Sequence, residues 1–200
     1  MDFRSDNVAG AAPEIMAALN DANPGTASAY GDDEWSRRLD AAFSALFETE
    51  CRVFPVATGT AANVLSLSAI TPGHGAIYCH QESHIAVDEC NAPEFFTGGA
   101  KLVTLPGEGG KIEMDALKAA LSQGWRGVQH HPQPAAVSIG QATESGTAYS
   151  PDEIAAMHFH NIIAQRKSQA RTGSRWFGGK KWLEDFRHGF LGNAGSIVFY

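Results

Sequence analysis

Apolar and polar residues follow two rhythms along the chain, one typical of helices and one typical of strands. Apolar residues spaced three and four apart predict helices from Pro13, from Asp33 to about Glu48, through Asn63–Leu67, from Met114 to Leu121, and from Ser150. Short apolar runs predict strands at Cys51–Val56, Ala76–Cys79, Lys101–Leu105 and Pro134–Ile139, and an edge strand at Gly195–Tyr200. Alternating strands and helices indicate an α/β fold with a largely parallel sheet.

The helix from Asp33 has a pronounced apolar face. Its members are Trp35, Leu39, Ala42, Phe43 and Leu46, and we expect this face to pack against a core. With 200 residues, of which 44% are hydrophobic, the chain can bury a substantial core in one domain or slightly more.

The charge balance changes near residue 157. Residues 1–157 contain 8 Lys and Arg against 20 Asp and Glu, a net charge of −12, whereas residues 158–200 contain 7 against 2, a net charge of +5. The clear alternation of strands and helices is also lost there. We therefore divide the chain into an N-terminal α/β segment at 1–157 and a divergent basic tail at 158–200, expected to be partly disordered. A frame change, a deletion or an early stop would explain the change.

Composition narrows the class of partner. The net charge of −7 disfavours general binding to nucleic acid or to an anionic membrane. The three cysteines are Cys51, Cys79 and Cys90, an odd number without a C-x-x-C pair, which favours a reducing cytoplasm. No apolar stretch approaches the roughly 20 residues of a membrane span. The adjacent pair His130 and His131 has no third ligand nearby in sequence, so no metal site is expected.

Thr58-Gly59-Thr60 lies between a predicted strand and a predicted helix. The first N–H groups of a helix lack intrahelical partners and attract anions, and Gly59 would let a ligand approach the backbone closely. An ordinary capped turn is the competing interpretation of this short motif.

The motif belongs to one of four separated blocks: Phe3-Arg4-Ser5-Asp6-Asn7, Ala29-Tyr30-Gly31-Asp32-Asp33, Thr58 to Asn63, and Glu82-Ser83-His84-Ile85. These blocks occur in the same order and at similar spacing in the threonine aldolase and β-eliminating lyase family. The segment Gln133 to Glu144 is similar to the strand and loop of one bacterial branch. Residues 2 to about 157 therefore resemble this family of pyridoxal phosphate-dependent lyases.

The resemblance implies a fold, a cofactor and a reaction, the cleavage of β-hydroxy-α-amino acids such as threonine into glycine and an aldehyde. The fold would be the large domain of a pyridoxal phosphate-dependent transferase, incomplete and without the C-terminal small domain. By the resemblance, Thr58, Gly59 and Thr60 bind the phosphate of pyridoxal 5'-phosphate and His84 stacks on its ring. Ser5 would hold the carboxylate of an amino acid, the expected small-molecule substrate, and Tyr30 would line the site. The resemblance also implies a homo-oligomer, a dimer or a tetramer, if the chain folds like the family.

Each of these residues also has a structural interpretation. His84 could be a surface or capping histidine after Ser83. Ser5 could cap a turn, and Tyr30 could be a half-buried core residue. Thr143 lies near a position where many relatives have an active-site histidine, and we assign it no catalytic role.

Two required elements of the family are not recognisable. The chemistry needs a lysine that forms a Schiff base with the cofactor and a carboxylate that pairs with its ring nitrogen. No aspartate lies between Asp152 and Asp185, and Lys180 is the nearest candidate for the lysine, with a solvated basic turn as the alternative. Two hypotheses follow: an impaired carbon–carbon lyase, or an inert remnant that binds phosphate or associates with an intact homologue.

Overall fold

The computed structural model describes residues 9–123 and 126–157 and, for the backbone alone, residues 195–199. Contacts divide the chain into two compact units, Met1–Phe54 and Pro55–Tyr200. Within the described residues, no helix is both long and apolar enough to cross a bilayer.

The described part of the first unit contains two helices, α1 (Pro13–Ala22) and α2 (Glu34–Leu46). Pro13 is at the start of α1, where its missing N–H costs no hydrogen bond. Asp33 caps α2, because its Oδ1 accepts a hydrogen bond from the backbone N–H of Ser36 at 2.8 Å. Both predicted helices are confirmed.

Two expectations for this unit are wrong. Neither helix buries a residue, and the expected core face of α2 leaves Trp35, Phe43 and Leu46 exposed. The spacing of apolar residues defines a face, but burial also needs a partner surface. Cys51–Val56 is not a strand, since it pairs with no other segment among the described residues. Its backbone is held differently, with the N–H of Val53 donating to Asp40 Oδ1 at 2.8 Å.

In the second unit, the described residues form a four-stranded sheet. Its strands are β1 (Gly75–His80), β2 (Lys101–Leu105), β3 (Gln133–Gln141) and β4 (Gly195–Phe199), in the order β2-β1-β3-β4. β1 runs parallel to β2 and to β3, whereas β4 pairs antiparallel with β3. All four strands coincide with predicted strands, including the edge strand near the C-terminus.

Helices cover both faces of this sheet. They are α3 (Gly59–Ile70), α4 (His84–Val87), α5 (Ala92–Phe96) and α6 (Met114–Ser122), with a further helix described at 151–157. The short helices α4 and α5 were not predicted. The helix at 151–157 begins with Ser150 and Glu153 exchanging hydrogen bonds, a capping box.

The core has two layers, one on each face of β1. Ala76 and Tyr78 point into a cluster with Leu117 of α6, whereas Ile77 and Cys79 point into a cluster with Leu67 of α3. This alternation follows from the two-residue period of a strand. Because both faces are covered, all six residues of β1 are buried. The α/β fold with a mostly parallel sheet is therefore confirmed; residues 158–194 lie outside the described part, so the expected disordered tail stays untested.

Candidate functional site

The carboxyl end of β1 and the amino end of α3 lie at the same end of the sheet. α3 is followed by a tight turn, in which Gly75 N–H donates to the carbonyl of Pro72 at 2.7 Å, and the chain returns as β1. β1 ends at His80, and three residues separate it from α4, which begins at His84. Ligands of open α/β sheets bind at this carboxyl end of the strands.

Thr58 caps α3. Its Oγ1 accepts a hydrogen bond from the N–H of Ala61 at 3.1 Å, and its carbonyl accepts one from the N–H of Ala62 at 3.2 Å. Among the described residues, the N–H groups of Gly59 and Thr60 have no partner. They provide two backbone donors at the positive end of the helix dipole, which suits a phosphate.

Gly59 has space in front of it. A Cβ built on Gly59 would meet no described atom within 4 Å. The local conformation does not need glycine, which is less favourable than alanine in a helix by about 0.5–1 kcal/mol. Open space, a glycine and two available N–H groups together fit the phosphate of pyridoxal 5'-phosphate.

His84 is held by a buried carboxylate. Its Nδ1 lies 2.9 Å from Oε1 of Glu89, and the same oxygen accepts a hydrogen bond from Asn63 Nδ2 at 2.6 Å. The Glu89 side chain is fully buried, while 47% of the His84 side chain is exposed. Asn63 belongs to α3, whose first residues, Gly59 and Thr60, form the proposed phosphate cradle. This chain of hydrogen bonds therefore joins that helix to His84, the histidine expected to stack on the cofactor ring.

Glu89 was not recognised from the sequence, and Asn63 was noted only as part of a block. An acid after Asp88 in a polar stretch is most often exposed, and no periodicity marks it as buried. The available signal was the spacing of five residues between His84 and Glu89 across one short helix.

His80 is a second histidine at this end of the sheet, and it has a structural role. It is 2% exposed, its Nδ1 accepts the N–H of Glu82 at 3.1 Å, and its Nε2 lies 3.1 Å from the carbonyl of Gly107. An accepting Nδ1 requires the proton on Nε2. His80 therefore ties the end of β1 to the loop after β2.

The other residues predicted from the sequence are Tyr30 in the first unit, Thr143 in the second, and Ser5 and Lys180. Tyr30 is fully exposed in a turn of the first unit, with a positive φ of 63°. Ser5 and Lys180 lie outside the described residues. Thr143 is buried and donates to the carbonyl of Gly109 at 2.9 Å, which gives it a loop-anchoring role.

Known proteins share this fold and these segments. The family model of the β-eliminating lyases matches residues 2–165. The chain belongs to the β-eliminating lyase family. Over 155 residues, the chain is 44% identical to the low specificity L-threonine aldolase of Pseudomonas sp. (strain NCIMB 10558) and 43% identical to that of Pseudomonas aeruginosa. The family resemblance expected from the sequence is confirmed.

A solved structure supports the same assignment. The structure of Leishmania major threonine aldolase is 26% identical and superposes with a TM-score of 0.71. The alignments to this structure and to both Pseudomonas relatives cover 78% of this chain but 44% of the relative. The chain thus spans less than half the length of the relatives it matches.

One cleft in the described part of the chain lies outside this site. A cleft of about 400 Å³ lies along β2 and is lined by residues that include Tyr78, Lys101, Val103, Gln123 and His131, none of which belongs to the cradle or the His84 network. Within 9–123 and 126–157, no group of three His, Cys, Asp or Glu side chains could hold a metal ion.

Proposed function

We propose that this chain carries the pyridoxal phosphate-binding portion of a carbon–carbon lyase that cleaves β-hydroxy-α-amino acids such as threonine into glycine and an aldehyde. The observation that supports it best is the hydrogen-bonded connection from α3 to His84, because it joins the two features that such a site needs. When bound, pyridoxal phosphate accepts the electrons released as the carbon–carbon bond of the substrate breaks.

The residues of the chain would bind and orient. The N–H groups of Gly59 and Thr60, with the Thr60 hydroxyl, would donate to the phosphate. Thr58 would cap the helix without using these two N–H groups. His84 would lie against the pyridine ring, where a planar imidazole restricts ring movement. A base at or near His84 would take the proton of the substrate β-hydroxyl.

Substrate binding and covalent attachment are part of the same proposal. Ser5 would hold the substrate carboxylate and Tyr30 would line the site. Lys180 is the lysine proposed for covalent attachment. Turnover by this chain alone is proposed to be weak or absent, because no aspartate occurs between Asp152 and Asp185, where the family resemblance requires the ring-pairing carboxylate. An inert remnant that retains phosphate binding, or that associates with an intact homologue, is the second candidate.

Titration with three ligands tests the proposal. Pyridoxal 5'-phosphate should bind more tightly than pyridoxal without its phosphate, and inorganic phosphate should compete. Equal affinity for the phosphorylated and unphosphorylated compounds would exclude the cradle. Borohydride treatment followed by peptide mass spectrometry then separates the two candidates. A reduced adduct on Lys180 with glycine released from threonine supports the enzyme, whereas phosphate-dependent binding without an adduct supports the remnant.

Gly59→Ala provides a variant whose stability and binding should change in different directions. The added methyl group would occupy the space proposed for the phosphate, so affinity for pyridoxal 5'-phosphate should fall. Alanine is also the better helix residue, so the free energy of unfolding should stay the same or rise. Gly10→Ala is the matched control, since a Cβ there also meets no described atom within 4 Å and its φ is not in the left-handed region.

Assembly and location complete the proposal. We propose a cytoplasmic homo-oligomer, a dimer or a tetramer, by analogy with the family. Sedimentation with and without pyridoxal 5'-phosphate measures the assembly, and a monomer under both conditions would contradict this part.

A further inference from the structure

Three residues from separate segments meet in one hydrogen-bonded chain. Asn63 lies in the second turn of α3, His84 begins α4, and Glu89 follows α4. Glu89 Oε1 is 2.6 Å from Asn63 Nδ2 and 2.9 Å from His84 Nδ1. A carboxylate can only accept hydrogen bonds, so both neighbours donate and His84 carries its proton on Nδ1.

This arrangement is costly for a purely structural role. The Glu89 side chain is fully buried, and its Oε2 has no hydrogen bond among the described residues. A buried polar oxygen without a partner destabilises a fold by about 1–3 kcal/mol. The partner that benefits, His84, is nearly half exposed and lies at the ligand-binding end of the sheet. Burial of the acid therefore serves the orientation of an accessible imidazole.

We propose that Glu89 is a positioning residue for His84: it fixes the Nδ1–H form and the direction of the ring, and Asn63 in turn fixes Glu89. The role of the fixed ring in cofactor binding rests on the function proposed above. The consequence is specific. Nε2, which has no hydrogen bond among the described residues, becomes the nitrogen that can accept a proton or a hydrogen bond from a ligand.

His80 gives the same protein an internal reference of opposite form. Its contacts place the proton on Nε2 and leave Nδ1 as the acceptor. Neutral imidazole in water prefers the Nε2–H form, so His80 follows the intrinsic preference and His84 opposes it. The carboxylate of Glu89, which accepts at Nδ1, accounts for the second case.

Nitrogen-15 NMR of the imidazole rings tests the proposal on the protein without cofactor. Spectra are recorded up to about pH 9, well above the ordinary imidazole pKa, and His84→Gln identifies the His84 signals. We expect Nδ1–H for His84 and Nε2–H for His80. Glu89→Met removes the acceptor at similar volume and should shift His84 to predominantly Nε2–H. Glu89→Gln keeps an acceptor and should retain Nδ1–H, while Asn63→Ala should reduce the Nδ1–H population in part.

The outcomes separate cleanly. Nδ1–H in the unchanged chain and in Glu89→Gln supports the proposal even if Glu89→Met fails to fold. Nε2–H for His84 in the unchanged chain overturns it, as does a folded Glu89→Met whose His84 keeps the Nδ1–H form. The NMR experiment contains no pyridoxal phosphate. Failure of ligand binding in the titration would therefore reject the proposed function, while the NMR spectra would still determine which nitrogen of His84 carries the proton.

Discussion

Residues 9–54 and 55–157 both contain helices with apolar side chains, yet they differ in what those helices bury. In the second unit, Leu67 of α3 and Leu117 of α6 are completely buried against the sheet. In the first unit, α1 and α2 bury no residue, and Leu19 remains 58% exposed. An apolar face thus predicts where a helix would pack, whereas the sheet determines which faces are actually covered.

The largest expected contrast comes from the same substitution in the two units. Leu117→Ala should lower the free energy of unfolding by about 2–5 kcal/mol, because it removes buried methyl groups and leaves a cavity. Leu19→Ala, on the exposed side of α1, should change it by less than about 0.5 kcal/mol. Urea unfolding followed by circular dichroism measures both. A cost for Leu19→Ala comparable to that of Leu117→Ala would show that α1 contributes to a core.

Sequence patterns predicted the second unit well for a physical reason. β1 and the central part of β3 are buried on both faces. In the sequence, such strands are short apolar runs between turn residues, as Ala76–Cys79 is after Pro72 and Gly73. Cys51–Val56 has a similar composition but no neighbouring strand, so its prediction failed. Strand formation depends on a partner that local sequence does not encode.

The candidate site was predicted only in part. Motifs with local backbone meaning, such as Thr58 capping α3, could be recognised because the accepting hydroxyl of Thr58 and the donating N–H of Ala61 lie three residues apart. The contact between Asn63 and Glu89 spans 26 residues and depends on how α3 packs. Sequence spacing contains no information on such a contact without the fold.

Proline in a true strand and in the wrongly predicted one should give the next largest difference. Adjacent N–H groups of a strand point to opposite edges, so either Ile197→Pro or Val198→Pro must remove a hydrogen bond between β4 and β3. We expect a loss of about 1–3 kcal/mol for that variant. Phe54→Pro, in unpaired extended chain, should stay within about 0.5 kcal/mol. Urea unfolding measures all three, and equal stability of both β4 variants and the unchanged chain would argue against the β4 pairing.

Removing a helix cap should have a moderate effect that depends on the unit. Thr58→Ala removes the acceptor for Ala61 N–H and should lower the free energy of unfolding by about 1 kcal/mol, whereas Thr58→Ser should preserve it. Asp33→Ala removes the corresponding cap of α2, which has no buried residue, so fraying should stay local to that helix. Backbone chemical shifts detect the local fraying. Loss of global stability in Asp33→Ala equal to that in Thr58→Ala would remove the distinction between the two units.

The smallest expected effect concerns acid. The N–H of Ser150 and the ammonium group of Lys111, 3.0 Å away, hold the pKa of Glu153 below its ordinary value of 4.5, with the backbone hydrogen bond as the larger cause. A lowered folded-state pKa means that this contribution to stability is complete above pH 4.5 and is lost as the pH falls through the folded value. Since 40% of the side chain is exposed, solvent screening limits the contribution to less than about 1 kcal/mol.

Glu153→Gln should therefore lose this amount at neutral pH and show a weaker decline in stability below pH 4.5. Urea unfolding at several pH values measures the decline, with exposed Glu144→Gln as the control; identical acid profiles for Glu153→Gln and the unchanged chain would show that the capping box and Lys111 do not stabilise the ionised carboxylate.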